Sequence, residues 1–192
     1  MKTFIALLRG INVGGHRKIE MAALRALGAE LDFTAIQSYI QSGNLVFAST
    51  GTAAAAEASL DRAIADRFGF PVEVMVRAAE AWPALVQGNP FLTACAQEPN
   101  LVMMALAKRP PCKDAATALR ERATQGERIE TAGEALWIHY AGGVARSKLS
   151  PALIDRLVGS PVTARNWRTV LKLAELAEVY TFSSHGPLGS RT

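Results

Sequence analysis

Twice along the chain the hydrophobic period changes in the same order: strand, helix, two strands about a tight turn, helix, strand. This recurrence of element order restricts the fold more than any motif, and no residue-level repeat aligns beneath it. In the first pass, "TFIALLR" (3–9) is short, apolar and stopped by Gly10, as in a buried strand. Residues 18–31 place Leu24, Leu27 and Leu31 at helical spacing, with Glu20, Arg25 and Glu30 turned elsewhere. "AIQSYIQSGNLVF" sets apolar residues on both sides of Ser42-Gly43-Asn44, a hairpin signal. The Ala-rich stretch after Thr52 carries Leu60, Ile64 and Phe68 on one face and ends at Gly69. "PVEVMVR" alternates Val72, Val74 and Val76 with Glu73, Met75 and Arg77, which predicts a half-buried strand.

The second pass runs through "NLVMMALAK" as strand, "KDAATALRERA" as helix and "RIETAGEALWIHY" as a hairpin turning at Ala132-Gly133. "SPALIDRL" follows as a helix with Ser150 as N-cap ahead of Pro151, then "SPVTAR" as a strand. A closing helix, "NWRTVLKLAELAEVY", shows the stripe Trp167, Val170, Leu171, Ala174, Ala177. The predicted fold is therefore α+β: two ferredoxin-like (β-α-β-β-α-β) subdomains with antiparallel or mixed sheets, plus a C-terminal helix. The expected boundaries are 1–77 for the first subdomain, 78–99 for a linker, and 100–182 for the second subdomain with its C-terminal helix. A flexible tail is expected at 183–192, because "SSHGPLGSRT" offers only Leu188 to a core.

Composition narrows the function classes. Hydrophobic residues make up 49% and charged residues 20%, as in an ordinary globular chain. The longest apolar run, "LVMMALA" (101–107), is far below the roughly 20 residues that span a bilayer. The opening "MKTFIALLRG" has too short an apolar stretch for a signal peptide and no A-x-A site after it. The expectation is a cytoplasmic protein without a membrane partner. Cys95 and Cys112 have no second pair to complete a metal site, so no metal and no cofactor is assigned. The net charge of +4 favours an anionic partner and falls short of the dense basic stripe of a nucleic-acid binder.

Three stretches carry candidate chemistry. In "RGINVGG" (9–15), Arg9, Gly10, Asn12, Gly14 and Gly15 follow a strand and precede a helix, the place where backbone N–H groups receive an anion. The same residues also suit a plain turn, with glycines at positive φ and Asn12 bonding its own backbone. In the hairpin, Gln41, Ser42 and Asn44 are compact polar groups at a tip. The strand after the first helix should run parallel to the first strand, which brings this tip beside Gly10. Near the end, Arg165 and Asn166 precede the last helix. Asn166 suits a cap, and Arg165 is left for a basic cluster with Arg146 and Lys148. On this reading Trp167→Ala lowers the melting temperature sharply and Arg165→Ala changes it little. The histidines His16, His139 and His185 have no carboxylate placed beside them by sequence, and no nucleophile or metalloprotease motif is present. No catalytic residue is assigned, and whether the protein is an enzyme stays open.

The stretches "ALLRGINVGG…IEM", "YIQSGNLVF", "NPF" and "ARSKL…TARNWRTVLKLAEL" resemble the bacterial domain-of-unknown-function 1697 family, from Met1 to about Val179. The resemblance implies a small cytoplasmic α+β protein of duplicated ferredoxin-like type with no established activity. Ser38 and Arg168 stand where Thr and Asn are common in that family. The function expected is binding of a small anionic, phosphate-bearing ligand, a metabolite or nucleotide, by Arg9, the Gly10–Gly15 loop and the Gln41–Asn44 tip, with Arg165 and Asn166 as further candidates. Two alternatives stand beside it. One is single-stranded nucleic acid on open sheet faces, through Tyr39, Phe47, Trp137 and Tyr140; the other is a protein-interaction module.

Overall fold

In the computed structural model, which describes residues 1–183, the first pass folds as β1 (Lys2–Leu8), α1 (Met21–Glu30), β2 (Thr34–Tyr39), β3 (Asn44–Ser49), α2 (Ala53–Phe68) and β4 (Val74–Ala78). A 3-10 turn, α3 (Trp82–Gln87) and α4 (Leu92–Gln97) follow. The second pass gives β5 (Val102–Ala107), α5 (Ala115–Arg120), β6 (Glu127–Ala132), β7 (Ala135–Tyr140), α6 (Pro151–Val158) and β8 (Val162–Asn166), and the chain continues as α7 (Trp167–Ser183). The rest of the expected tail, with His185, lies outside the described residues.

Local chemistry explains most boundaries. The Thr52 hydroxyl accepts the N–H of Ala55 at 3.1 Å to open α2, and Gly69 closes it in the left-handed region at φ 78°. Ser150 and Gly159 do the same for α6, with Pro151 in its first turn. α1 starts three residues later than the leucine spacing predicts. Arg17 is left-handed at φ 48° and Glu20 is extended, so the helix cannot propagate before Met21.

The strands form two four-stranded sheets, ordered β2-β3-β1-β4 and β6-β7-β5-β8. Every pairing is antiparallel. Leu7 lies opposite Asn44 and Leu8 opposite Val74, so the end of β1, the β2–β3 tip and the start of β4 share one edge.

Alternation along the strands feeds three cores. Phe4, Leu8, Leu45, Phe47, Val74 and Val76 pack on Leu24, Leu27, Leu60 and Ile64 of α1 and α2. On the second sheet, Leu136, Ile138 and Ile129 pack on Leu119 and Val158 of α5 and α6. Between the sheets, Ile5, Leu7 and Val46 share a core with Met104, Leu106 and Trp137, filled by Trp82, Leu85 and Phe91 and by Trp167, Val170 and Leu173 of α7. Trp167 meets Trp137 edge-on at 5.8 Å.

The linker at 78–99 holds α3 and α4, with Trp82, Leu85, Phe91 and Cys95 buried in the shared core. Two expectations change. β4 is buried on both faces, Met75 included. In α7 the buried position is Leu173, whereas Leu171 is exposed, because the helix is wedged between two sheets and its stripe follows 167, 170, 173 and 177. Of the aromatic residues considered for nucleic acid, Phe47 stacks on Phe33 at 4.2 Å, Trp137 is enclosed between the sheets, Tyr39 packs on the same core, and Tyr140 lies on the other face of β7.

Candidate functional site

The Gly10–Gly15 segment does not run straight into a helix. It doubles back as a small hairpin in which Val13 bridges His16 and the Asn12 N–H donates to the Arg17 carbonyl at 3.2 Å. Gly10, Asn12, Gly14, Gly15 and Arg17 all have positive φ, which is why glycine recurs here. Asn12 pins the segment. Its amide donates to the carbonyls of Ile19 (2.9 Å) and Gln41 (2.8 Å), and its Oδ1 accepts the Ile19 N–H at 2.9 Å. The loop and the hairpin tip therefore do meet at one end of the sheet. Most of their polar groups face each other: Asn44 donates to the Tyr39 carbonyl and to the Ser42 hydroxyl, and the Leu8 N–H donates to the Gly43 carbonyl at 2.8 Å. Gln41 contributes its carbonyl and leaves its side chain exposed.

Arg165 departs most from the sequence reading. It is buried at 7% exposure and joins no cluster with Arg146 and Lys148, which are exposed. Its Nε donates to Asn44 Oδ1 at 2.5 Å and Nη1 to the Thr163 hydroxyl and the Ala164 carbonyl. Its Nη2 donates to the carbonyls of Leu8 (2.7 Å), Ser42 (3.0 Å) and Gly43 (3.2 Å). All its donors are used, and burial pulls its pKa down to about 10. Arg165 thus fastens the edge strand of the second sheet to the loop end of the first. Asn166 is a cap: its Oδ1 accepts the Thr169 N–H at 2.9 Å.

Only Arg9 and Gly10 among the expected residues line a cleft of about 960 Å³ between the two halves. Its floor is the outer face of the second sheet: Met103 and Ala105 on β5, Ile138 and Tyr140 on β7. One wall is Ser147 to Pro151, at the start of α6; the other is Arg9, Gly10, Val13 and Arg17 with Pro71 to Glu73. Most of the charge around it is paired. Arg9 bridges to Asp155 at 2.7 Å, and Lys108 bonds Asp61 and reaches Glu73 at 3.0 Å. Burial opposes the charge on Lys108, but these two carboxylates outweigh it and raise its pKa. Arg17 has neither an ion pair nor a side-chain hydrogen bond to the described residues.

Behind the cleft wall sits Glu127, buried, accepting the Ser147 hydroxyl and the Gln125 N–H (2.8 Å). Burial alone would raise its pKa; these hydrogen bonds outweigh burial and hold it below the usual value. Burial first, and the Glu127 charge second, push the Tyr140 phenol up to about 12. His139 points to the opposite face of β7, where Nε2 meets Glu98 at 3.1 Å. Among the described residues no group of His, Cys, Asp and Glu is arranged to hold a metal.

Sequence reasoning left Arg17 and Ser147 out of the candidate set and took Tyr140 only as an aromatic for nucleic acid. Arg17, between a glycine loop and a helix, carried a signal. Ser147 and Tyr140 did not, because the other wall is supplied by the other half of the chain.

The model of a family described as a protein of unknown function (DUF1697) matches residues 1–137, ending before the "ARSKL" and "TARNW" stretches. The structure of a conserved bacterial protein, SP0830 from Streptococcus pneumoniae, is similar with a TM-score of 0.73 at 22% identity, covering 92% of this chain and 98% of that one. That likeness is one of fold. No curated protein matches. No helix among the described residues is long and apolar enough to cross a membrane.

Proposed function

Because the chain belongs to the DUF1697 family of proteins of unknown function, its role has to come from its own geometry, and we propose that it binds a small anionic ligand in the cleft between its halves. The observation that carries this reading is Arg17, a guanidinium without a partner on the rim of a cavity whose other charges are paired. A guanidinium in that position offers a bidentate contact to a phosphate or carboxylate. The start of α6 faces the same space and adds the partial positive charge of a helix N-terminus. A volume of about 960 Å³ suits a metabolite or mononucleotide. In this reading Arg9 and Gly10 are contact residues. Asn12, Gly14 and Gly15 shape the loop, and Gln41, Ser42, Asn44 and Arg165 brace it.

The fold reading goes with it. Each half is taken as a ferredoxin-like unit and the pair as a duplication, supported by the matching strand orders. Free Cys95 and Cys112 support a reducing, cytoplasmic setting.

Thermal-shift titration with inorganic phosphate, sugar phosphates and mononucleotides tests the binding reading. A ligand at a hundred times its Kd stabilises by about 2.7 kcal/mol, a clear upward shift, and Arg17→Ala should remove most of it. A flat response to every anion overturns the proposal.

A further inference from the structure

The cleft holds a second feature that phosphate binding alone does not use. Tyr140 is 7% exposed and lines the cavity; its backbone is bonded to Leu101 and Gly143, but its hydroxyl makes no hydrogen bond to any described residue. Its hydroxyl is not among the fully buried orphan atoms, which are Trp137 Nε1 and His139 Nδ1, so it keeps contact with the space of the cleft. A phenol buried over nine-tenths of its surface, with a donor aimed into a cavity, is built to meet a partner there. Next to it the half-buried Met103 and the exposed Val144 offer apolar surface above Ala105 and Ile138, which are closed off at 1% exposure. An inorganic anion at Arg17 would leave this surface and the phenol unoccupied.

We propose that the cleft selects a flat heterocyclic ring joined to an acidic group: the ring lies on the β5–β7 floor, a ring carbonyl or nitrogen accepts the Tyr140 hydroxyl, and the acidic group is held by Arg17. This rests on the anion reading above and adds the ring to it. The Tyr140 hydroxyl differs from the other hydroxyls of the cleft in having no hydrogen bond at all to the described residues. The Ser147 hydroxyl donates to Glu127 and accepts the Leu149 N–H at 3.2 Å. Ser150 accepts the Leu153 N–H, and Thr163 accepts Nη1 of Arg165. The phenol is protonated, and therefore a donor, throughout the neutral range; burial first and the Glu127 charge second raise its pKa further. Tyr140 is thus a specificity residue for binding, and no bond is made or broken.

Calorimetric titration of the full chain with the four ribonucleoside 5′-monophosphates, ribose 5-phosphate and inorganic phosphate decides the matter. The proposal expects at least one nucleotide to bind at least about tenfold more tightly than ribose 5-phosphate, since the base adds apolar burial and a hydrogen bond. Tyr140→Phe should weaken that nucleotide by about three- to tenfold, leave ribose 5-phosphate unchanged, and keep the melting temperature, because it deletes a hydroxyl that no described residue uses. Arg17→Ala should weaken the nucleotide and ribose 5-phosphate together. If phosphates bind but ribose 5-phosphate equals every nucleotide, or Tyr140→Phe is without effect, the ring and its donor are wrong while the anion reading survives. If nothing binds, both fall.

Discussion

The two halves share a strand order and differ in their connections. In the first half the long connection joins β1 to α1 (residues 9–20), while β3 passes to α2 through residues 50–52 alone. In the second half the long connection is the one from β7 to α6 (residues 141–150), while the chain from β5 to α5 is stapled down: the Arg109 N–H donates to the Ser160 hydroxyl at 2.9 Å and the Cys112 N–H to the Val158 carbonyl at 3.0 Å. The cleft lies between these two long connections, one from each half. Strands and helices that recur are occupied with cores; the cavity arises where the halves stop resembling each other. A site of this kind belongs to neither half.

The largest expected effect separates two arginines. Arg165→Ala removes the guanidinium donors from the carbonyls of Leu8 and Ser42 and from Asn44 Oδ1, leaves Gly43 only the Leu8 N–H, and should cost about 3–5 kcal/mol in chemical denaturation. Arg120→Ala in the second half removes an exposed guanidinium on Glu130 and should cost less than about 1 kcal/mol. Equal losses would show that the halves are not fastened through Arg165.

Next comes the shared core. Trp167→Ala should cost about 3 kcal/mol, whereas Leu171→Ala, expected from sequence to lie on the same stripe, should stay within about 1 kcal/mol. Calorimetric melting of both variants checks this.

The hairpin tips give a smaller contrast. A Cβ on Gly43 would lie 2.6 Å from Ile11 Cδ1 and 2.8 Å from Leu8 Cβ, and φ is +77°. Gly133, at the other tip, has φ +58° and open space. Gly43→Ala should cost about 2–4 kcal/mol and Gly133→Ala about 1 kcal/mol, by urea titration.

The smallest effect is a slope. The Glu127 pKa is lowered on folding, so its contribution is present above the ordinary value of 4.5 and is lost as the pH falls through its folded value. Glu127→Gln should therefore flatten the decline of stability below that pH. An acid limb as steep as that of the parent protein would refute the assignment.

Much of the fold was legible because local rules and tertiary packing agree. Thr52 and Gly69, Ser150 and Gly159 mark helix ends by chemistry that needs no partner. α4 was missed because six residues between Pro90 and Pro99 show too little period to read. The choice of Leu171 over Leu173 failed for a related reason: both fit a helical stripe, and only a helix held between two sheets decides between them. Arg165 was illegible in principle, since a buried guanidinium served by main-chain carbonyls and the neutral Asn44 and Thr163 leaves no complementary charge to find. Of the residues that line the cleft, Arg9 and Gly10 were among the candidates read from sequence, and Tyr140 was read only as an aromatic for nucleic acid.

The bond from Arg165 to Leu8 spans 157 positions of the chain. During synthesis, at about 5–20 residues per second, the end of β1 emerges long before its donor is made. Until then the carbonyls of Leu8 and Ser42 lack the guanidinium, Gly43 keeps only the Leu8 N–H, and the shared face of the first sheet waits for α7. A ribosome-stalled chain ending before β8 should accordingly resist protease only weakly around residues 9–20 and 40–43. Release of the complete chain should close both segments in one step. Quality control at the ribosome would meet this protein as a single late event rather than as two successive domains.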